Sequence, residues 1–249
     1  MNQAASTDLS PRELVDRAGY SASRADYMEL VLKCAIETLQ TAETQLCSAW
    51  QTFCEKKGAT RKPRKGAKNT VLRPDENALT YEIGDYVHAH LKGLPVEHPF
   101  RQVHFAFERP MASKRLAGAH QKRLDLRFEA YHADGPEFVI EAKPLFEQSD
   151  VGNRYLGDEG LGRFTREEEP LTRDQLGGPL GYVPEANAAS WRQAIRTATQ
   201  STEGCDLIVD VTLNTWDKTY SSLHKRPALL PPVWMLHMLV KYPAPPQAA

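Results

Sequence analysis

Residues 123–144 read RLDLRFEAYHADGPEFVIEAKP, two alternating runs joined by a short polar stretch, and no other segment restricts the fold as much. Successive side chains of an extended strand point to opposite faces. Leu124, Leu126, Phe128 and Ala130 therefore share one face, with Asp125, Arg127, Glu129 and Tyr131 on the other. In the second run Phe138, Ile140 and Ala142 share a face, and Val139, Glu141 and Lys143 lie opposite. A hairpin that buries both apolar sets must pair even positions with even, because a one-residue slip turns one set outward. A two-residue Asp134-Gly135 turn fails this condition, whereas a three-residue loop over 133–135 meets it. That loop predicts Lys143 across from Asp125, with Glu141 one diagonal step away.

Three charged groups then meet at one end of a core-forming hairpin. Two carboxylates held together repel and raise one pKa unless a cation lies between them. Mg²⁺ takes hard oxygen ligands at roughly 2.0–2.1 Å and keeps water or substrate phosphate as its remaining ligands. Asp125 and Glu141 suit that ion, or Mn²⁺ in its place, and the Ala142 carbonyl is a third candidate ligand. Lys143 would orient or deprotonate an attacking water, or offset charge on a phosphate. To act as a base its pKa must fall from about 10.4. A plain Asp–Lys–Glu salt-bridge cluster has the same spacing. The residues alone leave both readings open.

Around the hairpin, periodicity outlines the rest of the chain. Ser10, Pro11 and Glu13, followed by Gly19, predict a helix over 11–18. An apolar stripe from Met28 to Phe53 predicts one long helix over 24–54. From Lys56 to Arg73 there is no acid, and this glycine-containing basic stretch reads as a loop with Lys62, Arg64 and Lys65 as phosphate contacts. PDENALTYEIGDYVHAHL predicts a helix from Pro74 with Glu76 in its first turn, where an acid also favours the helix dipole. Val103, Phe105 and Phe107 alternate as a strand. TRDQLGGPLGYV reads as a glycine-rich loop before a helix over 188–199, and Gln175 stands three residues after Thr172, a capping-box spacing. Residues 205–213 and 233–240 are dense apolar strands. Between them YSSLHKRP reads as a cationic loop, with His224 and Arg226 as phosphate contacts, and Arg123 is a further basic candidate beside Asp125. This order predicts an α/β layer fold with a mixed sheet. It divides the chain into an N-terminal helical arm and basic linker, 1–70, and a domain over 71–249.

A net charge of −1 gives no general affinity for nucleic acid, so any such affinity must come from the segregated basic stretches. No apolar run approaches the roughly 18 residues of a membrane span. The N-terminus lacks a basic start followed by an apolar stretch, and Cys34, Cys47, Cys54 and Cys205 lack CxxC spacing. A cytoplasmic protein with free thiols and no membrane contact is expected.

Asp125, then fifteen residues, then Glu141-Ala142-Lys143 at the end of an apolar strand resembles the PD-(D/E)XK nuclease superfamily, the restriction-endonuclease-like fold. The resemblance covers about residues 74–213, and Leu124 stands where the motif has its proline. It implies an αβββαβ core and Mg²⁺-dependent hydrolysis of phosphodiester bonds by Asp125, Glu141 and Lys143. It also implies a further acid on the preceding helix, for which Glu76 fits, and a polar residue on the following one, for which Gln175 is the candidate. DNA is the expected partner, with RNA left open, and the superfamily includes restriction enzymes and anti-phage effectors. A catalytically silent nucleic-acid-binding or assembly subunit is the alternative. The 24–54 helix is free to pack on its own domain, form a homodimer or bind a partner subunit.

Overall fold

The computed structural model describes residues 8–61, 72–110, 123–132, 134–166, 169–213, 216–227 and 230–244. Helix α1 (Pro11–Ala18) has the expected ends: Ser10 and Glu13 form a capping box, and Gly19 closes it at φ 84°, the left-handed region where glycine meets no penalty. The apolar stripe becomes two helices, α2 (Ala22–Ser48) and α3 (Trp50–Glu55). The break at Ala49 sets the Trp50 ring 5.1 Å from that of Tyr242, with its indole N–H donating to the Ala244 carbonyl. Strands β1 (Thr60–Arg61) and β2 (Arg73–Pro74) pair as a short stem leading into α4 (Glu76–Gly93), whose N-cap Asp75 accepts from the Ala78 amide.

Then come β3 (Val103–Pro110), β4 (Arg123–Ala130) and β5 (Glu137–Pro144). A helical crossover follows, built of α5 (Gln148–Asp150), a turn over Val151–Tyr155 and α6 (Gly162–Thr165). The chain ends with β6 (Leu176–Pro184), α7 (Ala188–Gln200), β7 (Cys205–Leu213), β8 (Trp216–His224) and β9 (Val233–Tyr242). Seven strands form one mixed sheet in the order β3-β4-β5-β6-β9-β8-β7, parallel at β5–β6 and β6–β9 and antiparallel elsewhere. The α/β layer class is as expected.

One core contains α1, α2 and α4 with the even-numbered hairpin residues Leu126, Phe128, Phe138 and Ile140. Leu32, Leu39 and Leu46 of α2 are fully buried there, so the helices before residue 70 and the sheet share a single apolar interior. The opposite core joins Val139 to Tyr155 and Phe164 of the crossover and to Trp191 and Ile195 of α7.

Four expectations need correction. First, residues 176–184 are a buried central strand, not a loop. Its glycines permit close packing: a Cβ on Gly178 would lie 2.6 Å from Met238 Cε and 2.7 Å from Phe138 Cζ. Second, YSSLHKRP is mostly strand β8 rather than a loop. Third, residues 205–213, expected as a dense apolar strand, form β7 at the far edge of the sheet, with Leu207 exposed. Fourth, the hairpin keeps the even-to-even parity but pairs Leu126 with Ile140 and Glu129 with Glu137, around a longer loop. The Ala130 amide donates to the Pro136 carbonyl, one step beyond Glu129↔Glu137 in the same register. Lys143 is therefore not across from Asp125; continuing the register puts Glu141 there.

Candidate active site

Beyond Leu126↔Ile140 the Asp125 carboxylate, not a backbone carbonyl alone, meets β5: its Oδ2 accepts from the Ala142 amide at 2.7 Å. The amide and carbonyl of one strand residue point to the same neighbour. The Ala142 carbonyl therefore also faces β4, as a ligand position requires. Glu141 is 1 % exposed and Lys143 7 %. Lys143 Nζ lies 2.8 Å from Glu141 Oε1 and 2.7 Å from Oε1 of Glu76 at the start of α4. The structure thus brings Asp125, Glu141, Ala142, Lys143 and Glu76 to one end of β5. Tyr182 of β6 and Thr80 of α4, 3.2 Å apart through their hydroxyls, brace the helix against the sheet nearby.

Two arginines from the crossover complete the cluster. Arg163 Nη1 meets Glu141 Oε1 at 2.6 Å and its Nη2 donates to the Arg123 carbonyl. Arg154 Nη2 meets Glu76 Oε2 at 2.5 Å. Glu141 Oε2 is buried and finds no hydrogen-bond partner among the described residues. An orphaned carboxylate oxygen in the interior is costly and marks a place where a ligand or ion would be stabilised.

Burial, with the Glu141 charge next in effect, pushes the Asp125 carboxyl up to about 8, against the opposing pull of Lys143 and the Ala142 amide. Burial by itself would lower the Lys143 pKa, but Glu141, Asp125 and Glu76 more than offset it and hold it above its ordinary value. Lys143 in this arrangement is an ammonium ion. The expectation of Lys143 as a general base, which needs a lowered pKa, therefore gives way to a role in placing positive charge.

Sequence reasoning missed three members of the cluster. Glu108, on β3, lies between the pairs Phe107↔Leu126 and Arg109↔Leu124 and so stands across from Asp125. Burial raises its carboxyl pKa; Arg123 opposes this, and Glu141 and Glu76 add to it. Its signal was available, as the final acid of the alternating run QVHFAFE. Arg154 and Arg163 gave none, because only the folded crossover carries them to the acids.

Other candidates do not join the site. Gln175 precedes β6, level with the start of β5 by the register Val139↔Gly177, about 13 Å along the strand from Glu141. It cannot act there, because the segment it begins is a strand rather than a helix. His224 is 1 % exposed and shares Ser222 with His237 at 2.7 Å each, so it is not a phosphate contact. Arg226 is likewise buried, spent on the carbonyls of Thr172, Arg173 and Pro231. Arg123 remains exposed at the mouth of the cluster, 4.0 Å from Glu108. Lys62, Arg64 and Lys65 lie outside the described residues. The stem that leads into and out of their segment stands at the start of α4, with Arg61 paired to Asp75 next to Glu76.

One observation favours a divalent cation beside these acids, the unpartnered buried oxygen of Glu141. Among the described residues no group of three or more His, Cys, Asp or Glu is placed so as to hold a metal ion. No helix is long and apolar enough to cross a membrane among the described residues. Comparison with family models, curated proteins and solved structures found no match to this chain.

Proposed function

We propose that the chain is a metal-dependent nuclease that hydrolyses phosphodiester bonds of DNA. Its core would be the restriction-endonuclease-like αβββαβ unit of α4, β3, β4, β5, the helical crossover and β6. The observation that carries this reading is the buried, unpartnered Glu141 oxygen beside a second carboxyl, Asp125, held near pKa 8. Repelling acids at that depth call for a cation.

Asp125, Glu141 and the Ala142 carbonyl would hold Mg²⁺ or Mn²⁺. Bound there, the ion would neutralise charge on a phosphate and make a coordinated water more acidic. Lys143 contributes an ammonium group to the developing negative charge, steadied by Glu76 at 2.7 Å. Arg123, at the exposed rim, is suited to a flanking phosphate. A bound phosphate would compete for Arg163 and Arg154, which now neutralise Glu141 and Glu76, and a cation would replace Arg163 at Glu141.

The test is cleavage of plasmid and linear DNA in Mg²⁺, with and without chelator, by wild type and Lys143→Met. Chelator-sensitive cutting that the lysine variant loses by about a hundredfold or more supports the assignment. Equal cutting by both refutes the role of Lys143, and chelator-insensitive cutting refutes the metal.

One observation favours a second reading. Glu141 and Glu76 already have cationic partners in Lys143, Arg163 and Arg154, as a silent binding or assembly subunit would. DNA binding that survives chelation, with no cutting under any divalent cation, would select it.

A further inference from the structure

The crossover delivers two arginines to the end of β5, and both are held in the same way. Arg154 Nη2 meets Glu76 Oε2 at 2.5 Å, and its Nη1 donates to the Pro144 carbonyl at 3.4 Å. Arg163 Nη1 meets Glu141 Oε1 at 2.6 Å, and its Nη2 donates to the Arg123 carbonyl at 3.0 Å. One carboxylate and one backbone carbonyl thus pin each guanidinium. The backbone beneath them is fixed too. Tyr155 and Phe164, the residues that follow the two arginines, are buried, and the Tyr155 hydroxyl donates to the Pro179 carbonyl at 3.0 Å.

A guanidinium carries five N–H donors in a rigid fork. These bonds leave the Nε donor of each arginine without a partner among the described residues, and neither Nε is a buried unpartnered atom. Both donors therefore meet solvent. The Arg154 and Arg163 side chains are 30 % and 16 % exposed, between enclosed Lys143 and Arg123, which is 59 % exposed at the mouth. Cations thus lead from the surface to the end of β5.

The charge balance there favours an anion. Arg154, Glu76, Lys143, Glu141 and Arg163 form one chain of ion pairs, with links of 2.5, 2.7, 2.8 and 2.6 Å. The chain begins and ends with a cation, so three positive charges face two negative ones. Burial favours the neutral forms of the neighbouring Asp125 and Glu108 carboxyls, and Arg123 adds a further positive charge. Fixed guanidinium groups with donors to spare match the paired oxygens of a phosphate.

We propose that Arg154 and Arg163 bind backbone phosphate of a nucleic-acid strand, and do so without a metal ion. The proposal rests on reading this end of β5 as a nucleic-acid site, and it names the groups that grip the strand. Glu76 and Glu141 then aim the two forks, and Arg123 meets the strand at the rim.

Binding of a fluorescein-labelled DNA duplex would be measured in chelator over a range of salt concentrations, with inorganic phosphate tested by calorimetry. Wild type would be compared with Arg154→Gln, Arg163→Gln, the double variant Glu141→Gln/Arg163→Gln and, as a control for lost charge, Arg17→Gln on α1. Melting temperatures and cutting in Mg²⁺ would be followed in parallel. The double variant keeps the net charge of wild type and leaves no buried carboxylate without its arginine, so it guards against a loss that reflects misfolding. Arg154→Gln and Arg163→Gln should each weaken DNA binding about tenfold or more, and Arg17→Gln should weaken it less. Each should also lower the slope of log affinity against log salt by roughly 0.9, the share of one phosphate contact. The double variant should bind as weakly as Arg163→Gln. Wild-type affinity and slope in both single variants, or recovery of affinity in the double variant, overturns the proposal even if the protein cuts DNA in Mg²⁺. Arginine-dependent DNA binding by a protein that cuts nothing sustains it while removing the nuclease reading. Binding of inorganic phosphate without DNA, or of neither, overturns it.

Discussion

Replacing Asp125 by Asn should stabilise the metal-free protein, and by an amount that depends on pH. The buried carboxyl has a pKa of about 8, whereas an aspartate in the unfolded chain ionises near about 3.9. Between those values the unfolded chain releases a proton that the folded one keeps. The stability contributed by the protonated group is complete below about pH 4 and is lost as pH rises towards 8. Each pH unit in that window costs about 1.4 kcal/mol, so the accumulated loss at pH 7 is on the order of 4 kcal/mol. Asparagine never ionises, and its side-chain carbonyl still accepts from the Ala142 amide as Asp125 Oδ2 does at 2.7 Å. Urea unfolding in chelator at pH 4, 5, 6, 7 and 8 would compare the two proteins. Their free energies should nearly coincide at pH 4 and diverge steadily above it, the variant being the more stable. Saturating Mn²⁺ should narrow the gap, since a ligand at a hundred times its dissociation constant stabilises only the protein that binds it, by about 2.7 kcal/mol. A gap that is absent, or the same at every pH, refutes the claim that burial and the Glu141 charge disfavour the ionised Asp125.

The buried histidines predict the opposite pH dependence. Burial lowers His224 to about 4, with Asp206 opposing and Arg166 assisting, and burial followed by the His224 charge lowers His237 well below its ordinary value. Their neutral forms contribute stability above about pH 6.5 that is lost as pH falls through 4, about 3 kcal/mol for His224 alone; acid unfolding of His224→Gln should show a shallower loss, and an unchanged profile would contradict this. Gly178→Val should lower stability by about 1–3 kcal/mol, read as a reduced urea midpoint, because its Cβ would collide with Met238 and Phe138. An unaltered midpoint would mean that β6 is not packed this tightly. Neutralising Lys62, Arg64 and Lys65 together should weaken DNA binding and flatten its dependence on salt, since fewer counterions are released; an unchanged slope would assign that segment no phosphate contacts.

The elements whose side chains repeat with a single period were legible in the residues alone. The cap and stop of α1, the apolar side of α4, the inward face of α7 and the alternation of β3, β5 and β4 from Leu126 onward follow from local patterns, whereas Leu124 packs in the opposite core with Val139. The even-to-even parity of the hairpin followed too, because burying one face leaves no other choice. So did the meeting of Asp125, Glu141 and Lys143 at one end of the hairpin, whereas Glu76 was expected there only from the family resemblance. What tertiary structure decided was every feature whose environment comes from a distant segment. Gly177-Gly178-Pro179 resembles a loop until Phe138 and Met238 fill the space above its missing side chains. Ser222, His224 and Arg226 read as wet and cationic, yet they are buried because His237, Thr172 and Pro231 satisfy their polar atoms. Gln175 was separated from the acids by a strand direction that no local pattern states. Arg154, Arg163 and Glu108 reach Glu76, Glu141 and Asp125 only when the crossover packs and β3 finds its register. A residue's own chemistry sets what it can do, but the cost of burying its charge depends on the partners that folding brings to it.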